Sequence, residues 1–384
     1  MKFEFATATR IIFGPDESKN IGQLASEMGN RAFLLTGGNI KRIEPLIELL
    51  DRHNMDHVEF RVTGEPTTNL VEEAVTQARA FDSDMVISIG GGSVLDTGKA
   101  VAAMVANPGQ IMDYLEVVGL GQKLTNPAAP HIAVPTTAGT GAEVTRNAVL
   151  AVPEQKVKVS MRSPLMLPAI ALVDPALTYS MPPAVTASTG LDALTQLIEA
   201  FVSNKANPLT DGICREGITC ATRSLQAAYE EPDNHAARED MALASLFGGL
   251  ALANAKLGAV HGFAGPLGGM FSAPHGSICA ALLPHVMKAN VRALAEREPN
   301  SEVLTRYKEV ARILTGYPDA AAADGVTIIT SLCAALSVPS LARFGLKETD
   351  LPLAVEKARK SSSMKGNPID LTEQELTEII KASL

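Results

Sequence analysis

Short apolar runs of the kind that form buried strands recur through the first half of the chain: RAFLLTGG (31–38), DMVISIGGGS (84–93), HIAVPTTAGTG (131–141) and AIALVDP (169–175). Between the first two lie EPLIELLDRH (44–53) and LVEEAVTQARAF (70–81), whose apolar residues recur at helical spacing, and the helical VLDTGKAVAAMVA follows the GGGS turn. Strands alternating with helices predict βαβ units and a mainly parallel sheet. The opening MKFEFATATRIIFG alternates as a strand does, and NAVLAVPEQKVKVSM (147–161) predicts a hairpin turning at Pro153 and Glu154. After Met181-Pro182-Pro183 the texture changes to long Ala- and Leu-rich stretches that run to Leu384 with almost no β-branched runs. The pattern predicts an N-terminal α/β domain over 1–183 and an all-helical domain over 184–384. A ligand is expected in a cleft between two such domains.

A length of 384 residues fits two domains. The formal net charge of -9 argues against nucleic acid or an anionic membrane as partner, since both call for a basic patch. Trp is absent and aromatics are 4%, which leaves little for stacking on single-stranded nucleic acid. Cys214, Cys220, Cys279 and Cys333 form no CxxC pair and read as buried, inert thiols in a reducing cytosol. The N-terminus has no signal-peptide core, and no apolar run reaches the roughly 18 residues that span a bilayer. A cytoplasmic protein acting on a small molecule is expected.

Three glycine loops follow apolar strands. ISIGGGSVLDTGKA (87–100) runs strand, turn, helix. Such a loop is either a plain turn or a phosphate site, where glycine lets backbone approach closely and the helix start offers free N–H groups. VPTTAGTGAEVT (134–145) adds the hydroxyls of Thr136, Thr137 and Thr140. Two such loops on neighbouring strands suit one extended ligand carrying phosphates, as a dinucleotide does. In TGGNIKR (36–42), Gly37 and Gly38 stand where NAD enzymes place an acid for the ribose 2′-hydroxyl, and Lys41 and Arg42 follow. That favours NADP over NAD, against the alternative of a helix-capping turn with solvated charges.

GLDALTQLIEAF (190–201) reads as a helix that puts Asp192 and Gln196 on one face, four residues apart. An acid and a histidine at that spacing make half of a metal site; here the second residue is an amide. His261 and His275 sit in VHGFAGPLGGMFSAPHG (260–276), broken by more Gly and Pro than a core helix tolerates. His53, His57, His131, His235 and His285 read as surface or core packing.

The chain resembles the iron-containing (group III) alcohol dehydrogenase family over nearly its full length. The residues that carry this are IIFG (11–14), GGGSVLDTGKA (90–100), PTTAGTGAEVT (135–145), VDPALTYSMPP (173–183), TGLDALTQLIEAF (189–201), the VHG, PLGG and PHG runs (260–276) and LLPHVMKAN (282–290). The resemblance implies a dinucleotide-binding α/β domain followed by a helical metal domain. It also implies hydride transfer between a nicotinamide cofactor, NADP or NAD, and an alcohol or aldehyde, with one divalent metal, iron or zinc, polarising the carbonyl. A small-molecule substrate and a homodimer or higher homo-oligomer come with it. Position by position, Asp192, His261 and His275 match catalytic metal ligands, and Gln196 stands where a fourth ligand, a histidine, is expected. Gly37, Gly38, Asn39, Gly91, Gly92, Ser93, Asp96, Thr136, Thr137, Thr140 and Lys158 are the expected cofactor contacts. Gly265 replaces a histidine that the family commonly has near the substrate. These departures leave several readings open. Gln196 ligates weakly or donates to a ligand of a working metal site; the enzyme is metal-free, like maleylacetate reductases; or the chain is a redox-dead cofactor binder. A lyase similar to dehydroquinate synthase is a further alternative.

Overall fold

The structure is a computed structural model and describes residues 2–38, 41, 43–155 and 157–384. It divides into two compact units. One comprises Ala6–Thr137 with Gly141–Tyr179; the other is chiefly Ser180–Leu384, with Ala138–Thr140 and a short N-terminal segment.

The strands of the first unit are β1 (Arg10–Phe13), β2 (Arg31–Thr36), β3 (Asp56–Arg61), β4 (Met85–Gly90), β5 (His131–Pro135), β6 (Asn147–Val152), β7 (Val157–Arg162) and β8 (Ile170–Val173). Six of them form one sheet in the order β1-β8-β5-β4-β2-β3, every pair parallel. β6 and β7 pair antiparallel as the expected hairpin. Every residue of β4 is buried, as a near-continuous apolar run predicts for a central parallel strand. β3 is a strand that the apolar runs do not reveal. It lies at the sheet edge and exposes Asp56, Glu59 and Arg61, so only Val58 and Phe60 carry an apolar signal.

The helices of this unit are α1 (Ile21–Ser26), α2 (Glu44–Arg52), α3 (Thr68–Ala80), α4 (Gly92–Ala106) and the single turn α5 (Ile111–Tyr114). Ile21 and Leu24 of α1 and Leu46 and Leu50 of α2 pack with Leu34 and Ile87 on one face of the sheet. Val71 and Val75 of α3 and Val101 of α4 pack with Phe33, Leu35 and Val86 on the other. The side chains of a strand alternate between faces, so β2 feeds both cores at once. From β2 the chain runs out to β3 at the edge, then returns past β2 to β4. Neighbouring β2 and β4 therefore lead their connections in opposite directions, and ligands of such sheets bind at the C-terminal ends of strands at this kind of reversal.

The second unit is helical: α6 (Pro183–Val202), α7 (Pro208–Glu230), α8 (His235–Asn254), α9 (Ala259–Met270), α10 (His275–Arg297), α11 (Glu302–Thr315), α12 (Ala322–Ala335), α13 (Leu351–Lys360) and α14 (Glu373–Ala382). Every residue of α6 from Gly190 to Val202 is buried, and α7, α8 and α10 pack around it. A helix buried on all sides belongs at the centre of a bundle, so any polar side chain it carries faces protein. Among the described residues no single helix is long and apolar enough to cross a membrane.

Candidate metal centre and cofactor loops

The glycine loops converge at the C-terminal ends of β2, β4 and β5. Thr36 pairs with Ile89, and Gly90 with Pro135, so Gly37, Gly91 and Thr136 leave neighbouring strands at the same level. Thr136 N–H donates to Gly90 O at 2.9 Å, and a Cβ at Gly91 would stand 3.4 Å from Thr137 Oγ1. Gly90 has to be glycine, since a Cβ there would meet Val94 at 2.4 Å. α4 starts at Gly92, immediately after β4 and with no side-chain cap, so Gly92 and Ser93 form an open helix N-terminus. Gly37 and Gly38 are not forced by packing. The nearest atom to a Cβ at Gly37 is Val94 Cγ2 at 3.8 Å, and nothing lies within 4 Å of one at Gly38. Lys41 is exposed, while Asn39 and Arg42 lie outside the described residues.

Two expected cofactor contacts are tied into the fold. The Asp96 carboxylate accepts from Val149 N–H at 2.9 Å and pairs with Lys99 Nζ at 2.9 Å. Lys99, itself buried, also donates to Thr145 Oγ1 at 2.7 Å. Lys158 pairs with Glu65 at 3.2 Å. Thr140 belongs to the helical unit.

In that unit Asp192, His261, His275 and Cys279 offer one ligand atom each, all within 4.8 Å of one another. Asp192 sits in the middle of α6, His261 in the first turn of α9, and His275 and Cys279 at the start of α10. His261 Nε2 lies 3.3 Å, and His275 Nε2 3.8 Å, from Asp192 Oδ1. Cys279 Sγ is 3.8 Å from His261 Nε2 and 3.7 Å from His275 Nε2. Cys279, expected as an inert buried thiol, instead lies among the candidate ligands. The available signal was its place four residues after His275, which puts the two on one face once α10 forms.

Gln196 adjoins the cluster without joining it by its oxygen. Its amide nitrogen points to Asp192 Oδ2 at 3.4 Å. Its oxygen faces α8, where a Cβ at Gly248 would stand at 2.8 Å. Gly265, four residues beyond His261, has nothing within 4 Å of a Cβ position, so the α9 surface is open where the family commonly has a histidine.

Charge in the cluster is tightly coupled. Burial opposes ionisation of Asp192, yet His275, His261 and Cys279 together hold its carboxyl below the usual range. Burial likewise works against a charged His261, but the carboxylates of Asp192 and Glu199 beside it hold it well above the ordinary imidazole range. Burial pushes the Cys279 thiol up to about 12. The site is thus built to hold positive charge against Asp192.

Asp192 Oδ1 and Gln196 Oε1 are buried without a hydrogen-bond partner among the described residues. A buried carboxylate oxygen facing two imidazoles and a thiol is what a divalent cation would satisfy. The donor set therefore fits a metal. Three or four N, O and S donors suit zinc or ferrous iron.

Residues 8–175 match the sequence profile of the iron-containing alcohol dehydrogenases, and residues 186–384 that of the C-terminal part of the same family. The 1,3-propanediol dehydrogenase of Klebsiella pneumoniae is 34% identical over 99% of this chain and 98% of its own length. A solved 1,3-propanediol oxidoreductase superposes with a TM-score of 0.93 at 33% identity, covering 100% of both chains. The sulfoacetaldehyde reductase of Bifidobacterium kashiwanohense, solved with NAD+, gives 0.86 at 29% identity over 99% of this chain and 98% of that one. The chain belongs to the iron-containing alcohol dehydrogenase family and is a metal-dependent, NAD(P)-linked oxidoreductase of alcohols and aldehydes.

Proposed function

From membership of this family we propose that the protein interconverts a small polar aldehyde and its alcohol, prefers NADP(H) to NAD(H), and holds one divalent metal through Asp192, His261, His275 and Cys279. The observation that carries this reading is the buried Asp192 Oδ1, unpartnered by hydrogen bond and faced by both imidazoles. When bound, the metal supplies a Lewis acid at the substrate oxygen and the nicotinamide supplies the hydride.

The chain's own residues do the rest. Asp192 would bring the negative charge that retains a dication inside the helix bundle. Gln196 donates to the second oxygen of Asp192 and so fixes the rotation of its carboxylate. Cys279 would hold the metal as a thiolate, so retention would strengthen as pH rises. Gly90 and Gly91 let a pyrophosphate approach the start of α4. Gly37 and Gly38 leave room for a 2′-phosphate, with exposed Lys41 as a cation nearby. Gly265 leaves room beside the ligand-bearing face of α9, which suits a substrate larger or more polar than ethanol. The relatives named for 1,3-propanediol and sulfoacetaldehyde both act on molecules with a second polar group. With glycine at 265, α9 has no titratable side chain beyond His261, and we assign proton delivery to water.

The test joins metal analysis to turnover. Protein purified without chelator should contain near one zinc or iron per chain, oxidise NADPH faster than NADH with hydroxy- or sulfo-aldehydes, and lose turnover on chelation. Gly37→Asp should reverse the cofactor preference by about ten-fold or more, the size of one charged contact of about 1.4 kcal/mol. Turnover that persists in metal-free protein sinks the metal reading. A sharp preference for acetaldehyde sinks the substrate reading, and an unchanged cofactor ratio in Gly37→Asp sinks the NADP reading.

A further inference from the structure

α9 begins without a cap of its own. Its N-cap residue is Gly258, which has no side chain to accept from the first turn. The acceptors come from elsewhere in the helical unit. Ala259 N–H donates to Asn367 Oδ1 at 3.1 Å, and Asn367 is held in turn by Asn290, which also contacts Tyr307 OH. Val260 N–H donates to Glu199 Oε1 at 2.7 Å, and His261 N–H reaches Glu199 Oε2 at 3.4 Å. Glu199 Oε2 also lies 2.7 Å from His261 Nδ1. Gly258 is required by this arrangement, since a Cβ there would stand 2.8 Å from Glu199 Oε1 and 2.9 Å from Asn367 Oδ1.

Glu199 is buried in the middle of the unit, and its ion-pair partner among the described residues is His261. A capping Ser or Asp at position 258 would satisfy the backbone locally and leave the ring free. The acceptor sits instead on α6, seven residues after Asp192 and so on the same helix face. One face of α6 thus presents a metal-facing carboxylate and, two turns on, a second carboxylate that grips the opposite edge of His261.

We propose that Glu199 is the positioning residue of the metal centre: it keeps the proton of His261 on Nδ1, turns Nε2 toward Asp192 and Cys279, and locks the first turn of α9 at that register. This rests on the metal reading above. A carboxylate on the far nitrogen of a ligating histidine fixes the ring's tautomer and raises its basicity. Here the same carboxylate also carries the backbone of the ligand, so ring and helix cannot move separately.

Glu199→Gln exposes this double duty. An amide has one accepting end. If that end keeps Val260 N–H, the NH2 faces Nδ1 and drives the proton to Nε2, where it blocks ligation. If it keeps Nδ1–H, the NH2 confronts the Val260 N–H.

The experiment uses the full chain loaded with zinc and 15N-labelled at histidine. In the wild type the His261 ring should be protonated at Nδ1 and metal-bound through Nε2; ligation through Nδ1 overturns the proposal without needing any variant. Zinc affinity, measured by chelator competition, should fall about ten- to a hundred-fold in Glu199→Gln and recover in part in Glu199→Asp. A role in helix capping alone would lower thermal stability and leave the His261 signature unchanged, and zinc bound by Glu199→Gln as tightly as by wild type also overturns the proposal. Wild-type protein that takes up no zinc or iron is a separate failure, that of the metal reading itself.

Discussion

At the scale of single residues, the buried cluster joins three residues that resemble the family's ligands to one unexpected donor. Asp192, His261 and His275 were legible through their resemblance to the family's ligands, and the structure brings them together. Cys279 was not, because a lone buried cysteine has no sequence signal beyond its spacing from His275. Gln196 points its nitrogen to Asp192 and its oxygen to the space left by Gly248, so this position supplies an accessory donor. Gln196→His restores an imidazole four residues from Asp192. It should slow loss of the metal to a chelator by about ten-fold, the lower end of what one added partner contributes around a metal. Metal release at the wild-type rate would show that Cys279 already completes the set.

At the scale of elements, the molecule fixes its connections with buried side-chain acceptors. Asp174 directly follows β8 and is itself buried. Its Oδ1 accepts from Ala176 N–H at 2.9 Å and Asp16 N–H at 3.1 Å, and its Oδ2 from Ser18 N–H at 3.1 Å and Ser18 Oγ at 2.5 Å. One carboxylate therefore joins the turn after β8 to the turn that starts α1. Asp174→Ala leaves the buried Ser18 N–H and hydroxyl and two partly buried N–H groups without their acceptor, which costs about 3 kcal/mol. A lower urea midpoint for the α/β unit with unchanged metal content is the expected result, and an unchanged midpoint would refute it. β3 carries little apolar signal for a reason at the same scale. Hydrophobic pattern reports burial, and an edge strand that guards its rim with charge is only half buried.

At the scale of the whole molecule, two titratable groups buried in the α/β unit pull stability in opposite directions with pH. Burial, aided by Lys99, lowers His131 to about 3, so its neutral form adds stability above the unfolded value of 6.5 that is lost as pH falls toward 3. Burial raises Glu143 to about 7, so its protonated form adds stability below the unfolded value of 4.5 that is lost as pH rises through 7. Between 4.5 and 6.5 the two slopes, each at most about 1.4 kcal/mol per pH unit, oppose each other and leave a plateau. Comparing wild type with His131→Asn across pH 3 to 6.5, and with Glu143→Gln across pH 4.5 to 7, isolates each slope. A difference that does not vary with pH in either pair would refute that group's part.

The sequence by itself determined the alternation of strand and helix, the change to an all-helical half, the glycine turns at strand ends and, through resemblance, three residues of the buried cluster. These are local properties, carried by periodicity or by short motifs that hold their meaning wherever they are placed. Only the tertiary structure decided which loops converge, because that depends on β4 passing to the far side of β2. Only it decided that Cys279 reaches Asp192, that Gln196 turns its nitrogen inward, and that Glu199 both caps α9 and holds His261. The first and last of those contacts join helices far apart in the chain, and the turn of Gln196 is set by how α8 packs on a buried α6, which no window of sequence contains.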